Sequence, residues 1–111
     1  AVRAQFAGPL AIHGPFLSMD FGHIDHLIRD AVQQRLDMTF DAAVQLSAGR
    51  VVLHTGCKPE IELFQLQDAW LATSIAYWQQ EIHRWAAAGI TIVLANDTDG
   101  QNDPFIARTQ K

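Results

Sequence analysis

The sequence predicts an α/β domain in which three parallel strands alternate with two long helices. Short apolar runs occur at 9–13, 50–55 and 90–95, and their continuous apolar character is typical of strands in a parallel sheet. The segments between them carry apolar residues at helical spacing. Strands that alternate with helices form βαβ units with right-handed crossovers, so the expected order is βαβαβ.

The first helix is predicted over about residues 24–47. Its second half is ambiguous, because apolar residues from Met38 to Leu46 alternate with their neighbours as in a half-buried strand. Apolar residues also recur at every fourth position: Ile28, Val32, Leu36, Phe40 and Val44. Ala, Gln, Leu and Met dominate the segment, and this composition favours the helix. Gly49 stands where a glycine is expected after a helix C-terminus.

The second helix is predicted to begin with Asp68 as its N-cap and to end at Gly89. Its apolar residues follow spacings of four and three and predict a core stripe: Leu71, Ile75, Trp78, Ile82 and Trp85. Trp70 lies off this stripe, and it is either a packing residue or the mark of an interface.

Composition predicts one domain spanning residues 1–111, since 111 residues with 49% hydrophobic content allow a modest core. The net charge of −4 makes a broad nucleic-acid-binding surface unfavourable, and we find no apolar run long enough to span a membrane. Cys57 is the single cysteine, which excludes an internal disulfide and favours a reducing, cytoplasmic location.

Two of the predicted strands end on a histidine. His13 closes the first apolar run, His54 closes the second, and Asn96 with Asp97 follows the third. Ligands of parallel α/β sheets bind at the carboxyl ends of the strands. We therefore expect the functional site at this edge of the sheet.

The strand-end motifs resemble the xylose isomerase-like TIM barrels, which include sugar and sugar-phosphate isomerases and epimerases and the apurinic-site endonucleases. The resemblance rests on His13-Gly14-Pro15-Phe16, on the strand Val51-Val52-Leu53-His54-Thr55-Gly56, and on "VLANDTDGQ", and it spans about residues 8–101. It implies that the βαβαβ units form part of a (β/α)8 TIM barrel, of which this chain supplies about three β/α units.

The same resemblance implies a divalent metal, zinc or manganese, with His13, His54 and Asp97 as candidate ligands. Neutral imidazole suits such ions. The glutamate that usually ends the family's third strand is missing, and Ala95 or Asn96 takes its place. Asp97 or Asp99 in the following segment is the available substitute, and we identify no catalytic residue.

Three functions are compatible with these features, and whether the chain is an enzyme stays open. The first is a fragment or short relative of a metal-dependent sugar isomerase or epimerase that acts on a small sugar or sugar phosphate. The second is an apurinic-site endonuclease-like phosphodiesterase, which the acidic charge balance disfavours. The third is a non-catalytic module that assembles through open sheet edges, because a complete barrel needs about 250 residues. We therefore expect a homo-oligomer or part of a longer chain.

Other potential metal ligands have simpler interpretations. His23, His26 and Asp30 would share one face of the first helix, where a solvated surface is the favoured interpretation. Cys57 follows His54 at a spacing of three, which by itself is a weak metal motif. The segment "DTDGQND" has the composition of a calcium loop but not the register of an EF-hand.

Overall fold

The computed structural model describes residues 6–16, 19–56 and 65–95, and it confirms the α/β class and the predicted order of elements. The elements are β1 (Ala11–His13), α1 (His26–Gln45), β2 (Arg50–His54), α2 (Gln67–Ala87) and β3 (Thr91–Ala95). Neither α1 nor α2 has the length and apolar character that crossing a membrane requires. Cys57, Asp97, Asp99 and the "DTDGQND" segment lie outside the described residues.

The three strands form one parallel sheet in the order β1-β2-β3. Ile12 pairs with Val51, and Val51 pairs with Ile92, so these three side chains share one face. That face packs on the helices in the main hydrophobic core. The helices lie side by side, since the rings of Phe40 in α1 and Trp85 in α2 meet edge to face at 5.0 Å.

The other face of the sheet is open in the part of the chain that the structure describes. In β2, Val51 and Leu53 are fully buried, whereas Val52 and His54 between and beyond them are only half-buried. Val93 in β3 is 41% exposed. Consecutive apolar residues such as Val51, Val52 and Leu53 are typical of a strand buried on both faces. Among the described residues only one face of β2 is covered, because both helices pack on the same face.

Polar residues flank helix α1 at both ends. Asp25 is the N-cap, and its Oδ1 accepts a hydrogen bond of 2.9 Å from Leu27 N. At the other end Ser47, not Gly49, adopts the left-handed conformation with φ 52°. Ala48 N then donates to Ala43 O, while Gly49 N already donates to Leu10 O beside the sheet. The predicted role of Gly49 as the terminating glycine is therefore wrong.

The buried face of α1 differs slightly from the predicted stripe. Val32, Leu36 and Ala43 are buried and Phe40 packs against them, but Ile28 and Val44 at the two ends of the stripe are exposed. A strict spacing of four drifts around a helix that turns every 3.6 residues, so its outer members leave the core.

Helix α2 departs further from prediction. Leu66 is the residue before its first turn and Asp68 lies inside that turn, so the predicted N-cap is wrong by two positions. The buried face combines three predicted members with three others: Trp70, Leu71, Ser74, Trp78, Glu81 and Trp85. Ile75 and Ile82 are exposed. Gly89 follows the helix end with φ 76°, as the sequence predicted.

Hydrogen bonds to its carboxylate explain why Glu81, and not Ile82, lies on the buried face of α2. Glu81 Oε2 accepts a hydrogen bond of 3.0 Å from the indole of Trp85, and Oε1 accepts one of 3.0 Å from Gln33 of α1. Arg84 lies 3.1 Å from the same carboxylate and 2.7 Å from Asp37. The polar atoms of Glu81 are thus satisfied inside the helix interface, which offsets the cost of burying them.

Candidate functional site

The two strand-end histidines lie on the same face of the sheet. His13 of β1 pairs in register with Val52 of β2, so His54 stands two residues further along the neighbouring strand. Side chains two residues apart point to the same side of a strand. Both histidines therefore lie on the open face, opposite the helices, at the carboxyl end of the sheet, as the sequence predicted.

The rings of the two histidines are in contact through equivalent nitrogens. His13 Nε2 and His54 Nε2 are 3.2 Å apart, and the ring centroids are 5.2 Å apart with the planes tilted by 44°. His13 Nδ1 lies 2.7 Å from the carbonyl oxygen of Gly14. A carbonyl oxygen only accepts, so Nδ1 carries the proton of the neutral ring and the lone pair of His13 lies on Nε2.

A histidine that binds a metal through Nε2 needs this tautomer. Metal-bound histidines commonly donate their second ring N–H to a backbone carbonyl, which fixes the orientation of the ring. The 3.2 Å contact between the rings is a hydrogen bond when His54 carries its proton on Nε2, because His13 Nε2 then accepts it. When His54 is protonated at Nδ1 instead, both Nε2 lone pairs converge on a common point.

The spacing of the two nitrogens fits a shared metal ion. With zinc–nitrogen bonds of about 2.0–2.1 Å and tetrahedral angles, two nitrogens on one ion lie about 3.3 Å apart. The observed separation of 3.2 Å is close to this value. Zinc sites use three or four protein ligands, however, and the described residues contain no cluster of three His, Cys, Asp or Glu side chains. Any further ligand must therefore come from outside them.

The third strand brings no ligand to the histidine pair within the described residues. Ala95 is the direct partner of His54 in the sheet, and Ala95 O accepts a hydrogen bond of 3.1 Å from Thr55 N. A methyl group thus occupies the position on the neighbouring strand beside His54. Asn96 and Asp97, which follow in the sequence, lie outside the described residues, so the role predicted for Asp97 stays a prediction.

Phe16 contacts both histidines, although no role was predicted for it from the sequence. Its ring centroid lies 5.9 Å from that of His13 and 5.6 Å from that of His54, and the side chain is 54% exposed. The signal was its place in the His-Gly-Pro-Phe motif, three residues after His13. Phe16 forms an apolar wall beside the two imidazoles, a common arrangement in small-molecule sites.

A second group of residues braces the ends of the strands. Asp20, in the segment between β1 and α1, is buried, and its Oδ1 accepts hydrogen bonds from Trp70 Nε1 at 2.8 Å and Gly22 N at 3.1 Å. Trp70 is 2% exposed, so of its two predicted roles the one as a packing residue is confirmed and the one at an interface is not. The role of Asp20 was not predictable from local sequence, because its partner is 50 residues away.

The alternative metal group on α1 does not form a helix face. His23 lies before α1, where its Nδ1 accepts a hydrogen bond of 2.9 Å from Asp25 N, and the helix begins only at His26. Arg29 donates to the carbonyl oxygen of His23. The interpretation of this segment as a solvated surface is consistent with the exposure of His26 and Asp30.

Comparisons with known proteins establish the fold alone. No family model and no curated protein matches the chain. A solved structure of the TTHB071 protein from Thermus thermophilus, soaked with ZnCl2, superposes with a TM-score of 0.72 at 22% sequence identity. The superposition covers 98% of this chain and 45% of that protein, so this chain spans less than half the length of its structural neighbour.

Proposed function

We propose that this chain is part of a metal-dependent α/β barrel of the xylose isomerase-like type. In this proposal His13 and His54 bind a divalent ion, zinc or manganese, and the barrel acts on a small sugar or sugar phosphate. The observation that carries the proposal is the 3.2 Å separation of the two Nε2 atoms at the carboxyl ends of adjacent parallel strands. The likeness to a protein more than twice as long supports a fold that continues beyond these three strands.

Each residue of the site has a defined task in this proposal. The Gly14 carbonyl holds His13 in the tautomer that places its lone pair on Nε2, the atom that would bind the ion. Gly14 N in turn donates to Val52 O at 2.8 Å, which fixes the end of β1 against β2. A bound divalent ion would polarise a carbonyl or hydroxyl oxygen of the substrate. Phe16 would shield one side of the ion from water and contact the apolar face of a sugar ring.

The charge of the chain supports a small substrate over DNA. Phosphate-backbone binding relies on clustered Lys and Arg side chains, whereas this chain has a net charge of −4. Of the basic residues, Arg84 is engaged with Asp37 and Glu81, and Arg29 with the His23 carbonyl. The endonuclease-like alternative therefore gains no support from the described residues.

Zinc titration of the purified chain tests the proposal. We expect one zinc ion per chain, detected by calorimetry and by elemental analysis after gel filtration. Replacement of His13 or His54 by Ala should lower the affinity at least about tenfold, since loss of a residue that only orients a metal ligand already costs about 10–100-fold. His83→Ala is the matched control, because His83 is an exposed histidine on α2.

Two results would contradict the metal site. One is zinc binding that is equally strong in the His13→Ala, His54→Ala and His83→Ala variants, and the other is no binding in the unmodified chain. With a positive result, zinc- and manganese-loaded protein should then be tested for isomerisation of aldoses, ketoses and their phosphates. Abasic-site DNA serves as the competing substrate in that assay.

A non-catalytic scaffold is the second candidate function, and Ala95 favours it. Ala95 places no carboxylate beside His54, and within the described residues the outer edges of β1 and β3 have no partner strand. Open parallel edges favour association. Sedimentation equilibrium at several concentrations tests this role, which predicts dimers or larger species; a monomer at all concentrations would contradict it.

A further inference from the structure

Asp20 is a buried carboxylate that the proposed metal site does not use. It is 5% exposed, and its hydrogen-bond donors are the indole of Trp70 and the backbone of Gly22. Neither donor carries a charge. Burying a carboxylate costs free energy unless hydrogen-bond donors satisfy it. The buried position of Asp20 therefore depends on Trp70, and the indole N–H of Trp70 depends on Asp20 for its acceptor.

The backbone around Asp20 packs directly on the end of β2. Gly56 lies two residues after His54 and has φ 78°. A Cβ atom at Gly56 would overlap the carbonyl oxygen of Met19 and lie 3.2 Å from Asp20 Cα. The backbone of Met19 and Asp20 therefore lies over the end of β2 in van der Waals contact.

Helix α2 also contacts the backbone near Asp20. A Cβ atom at Gly22 would lie 2.4 Å from Ser74 Oγ and 2.6 Å from both Trp70 Cδ1 and the Trp70 carbonyl oxygen, so the backbone at Gly22 is in close contact with the N-terminal half of α2. Asp20 and the residues beside it thus contact two elements: the end of the strand that carries His54, and the helix that carries Trp70.

We infer that Asp20 is a positioning residue for the histidine pair, an inference that rests on the metal-binding role proposed for that pair. Its hydrogen bond to Trp70 holds Met19 and Asp20 against Gly56, two residues after His54, and so supports the contact between the two rings beyond what the pairing of β1 with β2 fixes. Loss of the bond lets the chain after His54 shift, which moves the His54 ring relative to His13. The ring nitrogens then no longer converge on one ion.

The chain contains a matched control for this inference. Trp70 and Trp85 are both buried tryptophans of α2, and each donates its indole N–H to a carboxylate, Asp20 at 2.8 Å and Glu81 at 3.0 Å. The Trp85 bond joins two residues of α2 on the side of that helix that contacts α1. Trp70→Phe and Trp85→Phe therefore delete the same kind of hydrogen bond at two different places.

The first experiment compares zinc affinity in the two variants, at a temperature where urea unfolding shows both to be folded. Trp70→Phe should weaken binding about tenfold or more, the effect of losing a residue that orients a metal ligand, whereas Trp85→Phe should change it less than about twofold. Asp20→Asn keeps an oxygen acceptor and should retain most of the affinity that Asp20→Ala loses. Equal affinity in Trp70→Phe and Trp85→Phe would overturn the inference.

The second experiment separates this inference from the metal proposal. The ring proton and nitrogen resonances of His13 and His54 are recorded by NMR on protein prepared without metal and assigned with the two His→Ala variants. Trp70→Phe should shift both sets of resonances and Trp85→Phe should leave them in place. Unchanged resonances in Trp70→Phe would refute the positioning role, whether or not the chain binds zinc.

Discussion

Substitution of Gly56 tests whether the backbone of Met19 packs against the end of β2. Gly56 and Gly89 have nearly the same backbone conformation, with φ 78° and 76°. A Cβ atom at Gly89 would meet nothing within 4 Å, whereas one at Gly56 would overlap the Met19 carbonyl oxygen. The pair of variants Gly56→Ala and Gly89→Ala therefore separates backbone strain from steric overlap.

The expected losses in the free energy of unfolding follow from these two contributions. A left-handed conformation costs a residue with a side chain about 1–2 kcal/mol, and this contribution is common to both variants. Overpacking adds about 1–3 kcal/mol at Gly56 alone. We therefore expect a loss of about 1–2 kcal/mol for Gly89→Ala and about 2–5 kcal/mol for Gly56→Ala.

Urea unfolding followed by tryptophan fluorescence measures both losses, since all three tryptophans are buried. The slopes with urea concentration should agree between the variants, so that midpoints convert to free energies. Gly56→Ala should also weaken zinc binding, because His54 is two residues away. Equal destabilisation by the two variants would refute the close approach of Met19 to the end of β2.

Two pH-dependent properties follow from buried or paired groups. Burial raises the pKa of Asp37, but hydrogen bonds from Gln33 and Arg84 and the charge of Arg84 outweigh it, so the net pKa lies below its usual value. Asp37 therefore contributes stability that is present above about pH 4 and is lost as the pH falls below it. In Asp37→Asn the melting temperature should depend less on pH in that range. An unchanged pH dependence of the melting temperature would contradict the pairing of Asp37 with Arg84. Burial raises the pKa of Tyr77, and the Glu81 carboxylate raises it further. Tyr77 therefore contributes stability that is fully present below about pH 10 and is lost progressively as the pH rises further. Tyrosinate absorbance should appear only as the chain unfolds in alkali, and a folded tyrosinate near pH 10 would contradict the burial of Tyr77.

The order and class of the elements were predictable because they depend on local patterns. The apolar runs at 50–55 and 90–95 became β2 and β3, with ends within one residue of the prediction. Helix α1 occupies residues that matched both a helical and an alternating pattern, and its composition decided correctly between them. Gly89 ended α2 because only glycine adopts its conformation without strain.

The buried face of α2 was predictable only in part. Leu71, Trp78 and Trp85 entered the core as expected, but Ser74 and Glu81 displaced Ile75 and Ile82. Hydrophobicity alone cannot anticipate this choice. Glu81 is buried because Trp85 and Gln33 supply donors to it, and Gln33 belongs to another helix.

The site divides in the same way between local pattern and long-range packing. That His13 and His54 end neighbouring parallel strands was predictable, since apolar runs that stop at a polar residue mark the carboxyl edge of such a sheet. That their Nε2 atoms meet at 3.2 Å, and that Asp20 accepts a hydrogen bond from Trp70, became visible only in the folded chain. These contacts join residues 41 and 50 positions apart, and local periodicity carries no information about the register and packing that bring them together.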